Sequence, residues 1–120
     1  MQFVFVFLGS GLGGITRFGI SKILPAHSFP ISTFIANVFA CIILGVVVQM
    51  AATKQIINED LRLFWIAGFC GGFSTFSTFS NETINLLKQG NYFLAFIYII
   101  VSIFICLIAV YAGGFLVNKP

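Results

Sequence analysis

An all-α membrane protein of four transmembrane helices, with a break in the third, is the fold this sequence predicts. Three observations predict it. The 120 residues are 59% hydrophobic yet carry only six Lys or Arg and three Asp or Glu, too few charges to cover a soluble domain. Those charges are Arg17, Lys22, Lys54, Glu59, Asp60, Arg62, Glu82, Lys88 and Lys119, with long uncharged stretches between them. A helix crosses a hydrocarbon core of about 30 Å with roughly 20 residues, and four such spans fit at about 2–23, 31–52, 63–87 and 91–117. Together they form one transmembrane domain over residues 1–120, with no room for an extramembrane one.

The first span lacks the basic leader and A-x-A-like site of a cleaved signal peptide, so it is expected to stay in the bilayer. It carries Gly9, Gly11, Gly13 and Gly14, and the Gly-x-x-x-Gly at 9 and 13 reads as close helix packing. Arg17 lies near its end, where a long cation snorkels to the interface. Pro25 and Pro30 bracket a turn, and Pro30 suits the start of the second span. Within that span Asn37 places an amide in the membrane, where it bridges helices or donates to a passing anion. The loop at 53–62 is polar.

The third span contains Gly68-Phe-Cys-Gly-Gly-Phe-Ser-Thr-Phe-Ser-Thr-Phe-Ser80. Its Ser-Thr-Phe repeat has a period of three, which drifts by about 60° per repeat on a helix. Phe76 and Phe79 then share neighbouring faces, and hydroxyls occupy the rest of the circumference. A lipid-facing helix does not ring itself with hydroxyls. Gly71-Gly72 is the expected point of the break, where freed carbonyls need protein, water or an ion. Gln89-Gly90-Asn91 marks the last turn. In the fourth span Tyr98, Ser102 and Cys106 fall at i, i+4 and i+8, one polar stripe. Cys41, Cys70 and Cys106 belong to three different spans and show no metal-site spacing, so they read as packing thiols.

Four spans put Lys54, Arg62 and Lys119 on one side of the membrane and Arg17, Lys22 and Lys88 on the other. Orientation normally follows an excess of Lys and Arg on the cytoplasmic side. The balance here predicts insertion in both orientations, and so permits an antiparallel homodimer. No basic cluster exists to bind nucleic acid.

No carboxylate is embedded mid-span to couple protons to an exporter, and a multidrug exporter of similar size would need one in its first span. No nucleophile has a neighbouring base, and the single His27 falls in a turn. The chain is therefore not expected to be an enzyme. What remains are neutral donors and aromatic edges inside the membrane. That set suits an anion pathway, because conduction needs binding weak enough to release, and phenyl edges are mildly positive.

The stretch Gly71-Gly-Phe-Ser-Thr-Phe-Ser-Thr-Phe-Ser80 followed by Glu82 closely resembles the signature of the Fluc (CrcB) fluoride channels. Gly13-Gly-Ile-Thr-Arg17-Phe18 and Pro30-Ile-Ser-Thr33…Asn37 extend the resemblance across the chain. It implies a fluoride-selective channel of the cell membrane that lowers cytoplasmic fluoride by passive export, built as an antiparallel dimer with two pores. A paralogous, oppositely oriented subunit is the alternative to a homodimer. By that resemblance Asn37 is the pore amide, Phe76 and Phe79 are the pore phenylalanines, and Ser77 and Thr78 are the hydroxyls beside them. Tyr98, Ser102 and Cys106 match a polar track, with Cys106 where a hydroxyl residue is common. Backbone carbonyls of Gly71 and Ser74 match those that hold a structural sodium ion between subunits. Glu82 and Arg17 are implied at the pore vestibule.

Overall fold

The computed structural model describes residues 1–24, 29–54 and 58–118; the expected turn residues Pro25 and His27, and Lys119, lie outside them. Among the described residues every regular element is helical. Helix α1 spans Gln2–Ile23, and α2 spans Ile31–Gln49 and continues as a wider π-type turn over Met50–Lys54. Helix α3 (Glu59–Leu63) leads into a π-wound segment, Phe64–Cys70, and then α4 (Gly71–Phe73). Helices α5 (Phe76–Lys88) and α6 (Tyr92–Asn118) complete the chain.

Among the described residues, three helices are long and apolar enough to cross a membrane: Gln2–Ile23, Ile31–Thr53 and Tyr92–Val117. The stretch expected as the third span is assembled from shorter pieces instead. At about 1.5 Å per residue, the 13 residues of α5 are too short to cross alone. The molecule measures 49 × 32 × 21 Å, and its long axis matches a bilayer of about 40–45 Å with headgroups.

Helical geometry persists through Gly71 (φ −63°, ψ −35°), so the Gly-Gly pair is not where the chain leaves the helix. Ser74 (φ −90°, ψ 156°) and Thr75 (φ −154°, ψ 124°) are extended. The interruption falls three residues later than the glycines suggest, and of the pair it is Gly72 that serves packing. A Cβ on Gly72 would strike the Ser10 carbonyl, and one on Gly13 would strike that of Phe69. Gly9 meets the carbonyl of Phe64 in the same way, so α1 and the π-wound segment touch backbone to backbone. Gly45 and Gly113 bring α2 against α6, each facing a carbonyl of the other helix. With no hydrophobic drive between helices in lipid, this close approach is what holds them.

Among the described residues two small cores result. Ala36, Ala40 and Phe73 pack with Ile20, Ile43 and Phe69. Leu86, Ala95 and the fully buried Tyr98 pack with Phe29, Phe34, Phe79 and Leu94. Helix α5 ends on a tight hairpin into α6. Gly90, at φ +82°, donates to the Leu87 carbonyl at 3.1 Å, and Asn91 donates to Leu86 at 2.9 Å. That pairing is a Schellman motif, and its left-handed position suits glycine. Away from the spans, Asn58 caps α3 through Leu61 N–H. Arg62 hydrogen-bonds Glu59 and holds its carboxyl below the usual carboxylate range; so exposed a pair adds little stability.

Candidate functional site

The interruption at Ser74–Thr75 organises the site. Thr75 N–H donates to Asn37 Oδ1 at 3.0 Å, not back along the helix to Gly71. Because a backbone N–H can only donate, the partner atom must be the amide oxygen. The Asn37 NH2 takes no protein acceptor among the described residues and remains available. Thr75 also starts α5: its Oγ1 accepts from Thr78 N–H at 3.3 Å, an ordinary N-cap. Thr78 N–H is therefore diverted from the Ser74 carbonyl. Ser74 Oγ donates to the Cys70 carbonyl at 2.8 Å. The carbonyls of Gly71 and Ser74 thus lose their helical donors, Thr75 N–H and Thr78 N–H, to other partners.

A groove of about 250 Å³ runs beside the interruption, open along one side. Asn37 and Cys41 from α2 line one wall, and Ser102, Ile103 and Cys106 from α6 line another. Ser74, Thr75, Phe76 and Phe79 supply the third. Phe76 and Phe79 lie 5.8 Å apart between centroids, tilted by 38°. Phe76 is 78% exposed, while Phe79 leans on the Tyr98 ring at 4.9 Å. Ser102 Oγ is buried without a hydrogen-bond partner among the described residues. Such a hydroxyl costs about 1–3 kcal/mol unless something meets it, and it belongs to the groove wall.

Beyond the groove, Glu82 accepts from Tyr98 Oη and from Thr33 Oγ1, both at 2.9 Å. Tyr98 is therefore tied to Glu82 and to Phe79 but does not itself line the groove. Arg17 sits elsewhere, with Nε directed at the Gly72 carbonyl at 3.4 Å. The two charges expected together at a vestibule are thus held by different partners on different helices. Ser77 and Thr78 bond the Thr75 hydroxyl at 3.1 and 3.3 Å, so within one chain they brace the start of α5 outside the groove lining.

Sequence reasoning passed over Thr75, Thr33 and Cys41. Thr75 carried a signal, a hydroxyl residue immediately before the helix that follows the interruption. Thr33 stands four residues before Asn37, on the same helical face. Cys41 gave none, since its meeting with Cys106 depends on how α2 packs on α6.

The family whose sequence profile matches residues 4–114 is described as "CrcB-like protein, Camphor Resistance (CrcB)". The chain is 42% identical over 113 residues to a "Fluoride-specific ion channel FluC" of Pyrococcus horikoshii, covering 93% of this chain and 92% of that one. A protein of the same description from Pyrococcus abyssi is 39% identical over the same coverage. One from Bacteroides fragilis is 37% identical over 121 residues, with 96% of this chain and 94% of the other aligned.

Proposed function

The chain belongs to the CrcB-like family, and on that footing we propose that it is a fluoride channel, not an enzyme, embedded as a multi-pass protein in the cell membrane. It passes fluoride passively down its gradient and so lowers cytoplasmic fluoride. The observation that carries this reading is the Thr75–Asn37 hydrogen bond of 3.0 Å. It holds the amide oxygen on the backbone and leaves the NH2 for an anion in the groove.

The rest of the wall fits the same cargo. A small anion stripped of water needs donors, and Asn37 and Ser102 offer them without a fixed cation that would trap it. The edges of Phe76 and Phe79 add weak positive potential. In a single chain that wall is open on one side, and Phe76 stands exposed. A second copy in the opposite orientation closes it, giving an antiparallel dimer with two pores. The even split of Lys and Arg between the two sides supports that arrangement. Cys106 extends the donors along α6, while Tyr98, bonded to Glu82 behind the groove wall, and Arg17, on the Gly72 carbonyl, flank the path. Ser77 and Thr78 join the path as their hydroxyls reorient from Thr75.

A structural sodium ion between the two copies fits the carbonyls of Gly71 and Ser74, whose helical donors are engaged elsewhere. Hard oxygen ligands suit a hard cation. When bound, it supplies a fixed positive charge that ties the interruptions of the two chains together. The decisive experiment is fluoride efflux from liposomes holding the purified protein. Efflux no faster than from empty liposomes overturns the reading.

A further inference from the structure

Cys41 and Cys106 come from different helices, each one turn before Gly45 and Val110, where α2 and α6 meet backbone to backbone, and both line the groove. Cys70 is set apart, since its thiol donates to the Ala40 carbonyl at 3.4 Å and does not line the groove. Beside the pair, Ser102 Oγ is 94% buried by residue and has no partner among the described residues. Among the described residues no three His, Cys, Asp or Glu side chains converge, so a three- or four-ligand zinc site is not on offer. Two sulfur ligands from adjoining helices in one groove suit a two-coordinate soft ion instead.

We propose that Cys41 and Cys106 form a binding site for a soft, thiophilic d10 cation of the Cu(I), Ag(I) or Hg(II) class, and that the bound ion closes the groove. Binding is ligand exchange without redox. Hg(II) forms two Hg–S bonds and displaces both thiol protons to water, leaving a neutral complex. Ag(I) or Cu(I) displaces one proton and keeps the second sulfur as a thiol, again neutral. Neutrality selects these forms, because a charge left in an apolar groove is strongly penalised. An ion there sits against Ser102 and within the volume that Asn37 faces. The closure rests on the fluoride-pathway reading; the metal site does not.

The test adds one equivalent of HgCl2 per chain to the purified protein and reads intact mass, sulfur coordination by X-ray absorption, and fluoride efflux. The expected result is one Hg(II) per chain with two protons lost and two sulfur ligands, retained by Cys70→Ala and lost in both Cys41→Ala and Cys106→Ser. Efflux, normalised to each protein's own untreated rate, falls to background in the parent and Cys70→Ala and returns with dithiothreitol. In Cys41→Ala and Cys106→Ser one equivalent leaves it unchanged. Mercury on a single thiol with chloride as its other ligand, or bridging that survives Cys41→Ala, overturns the site. Bridged mercury with undiminished efflux in the parent leaves the metal site standing and overturns the closure.

Discussion

Asn37 Oδ1, from α2, and Thr75 N, in the extended break between α4 and α5, lie 3.0 Å apart, at the point where one helix ends and another begins. The bond has two jobs that substitutions can separate. Asn37→Asp keeps an acceptor for Thr75 but replaces the NH2 with a carboxylate in an anion path. It is expected to preserve the dimer on size-exclusion chromatography while abolishing fluoride efflux. Asn37→Ala leaves Thr75 N–H unpaired, at a cost of about 1–3 kcal/mol, so it should lower thermal stability as well. An Asn37→Asp protein conducting at the parent rate would sink the role given to the NH2.

Phe76→Ile keeps apolar bulk and removes the ring quadrupole. Because Phe76 is 78% exposed in the chain and isoleucine keeps its apolar bulk, the substitution should leave the protein folded and the dimer intact on size-exclusion chromatography. Efflux should fall severely. Unfolding by Phe76→Ile would show instead that the ring is a packing element.

The glycines of α1 give an internal comparison. A Cβ at Gly13 collides with the Phe69 carbonyl, whereas one at Gly11 meets nothing within 4 Å. Gly13→Ala is expected to cost about 1–3 kcal/mol, the usual range for overpacking, and to lower the temperature at which the purified protein loses its monodisperse peak. Gly11→Ala should match the parent unless the second copy covers that face.

Insertion in both orientations predicts that a cysteine added after Asn118 is labelled from both sides of the membrane in one cell population. Labelling from one side alone would point to a paralogous partner.

A sodium ion held by Gly71 and Ser74 is expected to stay while fluoride moves. Efflux experiments with sodium-22 on the same side as fluoride should therefore show no sodium flux above empty liposomes. Stoichiometric co-transport would count against a structural ion.

The sequence made the apolar helices legible because hydropathy depends on local composition alone. It also brought Phe76 and Phe79 together, since a three-residue spacing keeps two rings on one side of a helix turn. The position of the interruption was less legible. Gly71-Gly72 drew the expectation, yet Gly72 is needed for the approach of Ser10, and the chain leaves the helix where Asn37 captures Thr75. That capture joins residues 38 apart in sequence, beyond the reach of any local rule. Cys41 was invisible as a groove residue for the same reason. Its meeting with Cys106 follows from the register that Gly45 and Gly113 impose on α2 and α6.

The Schellman turn at Gly90 also bears on how the protein is made. Helix α5 carries Asn81, Glu82 and Asn85 among its hydroxyls, and such polar and charged side chains raise the free energy of translocon insertion. Helix α6 is rich in Ile, Leu, Phe and Val, each worth about −0.3 to −0.6 kcal/mol on the same scale. The turn joins them with no slack, so we expect the polar helix to enter the lipid only as the passenger of the greasy one that follows. Nascent chains cut before Tyr92 should leave α5 accessible to protease, and chains extended through α6 should protect it. Protection of α5 in the shorter chains would show that it inserts without help.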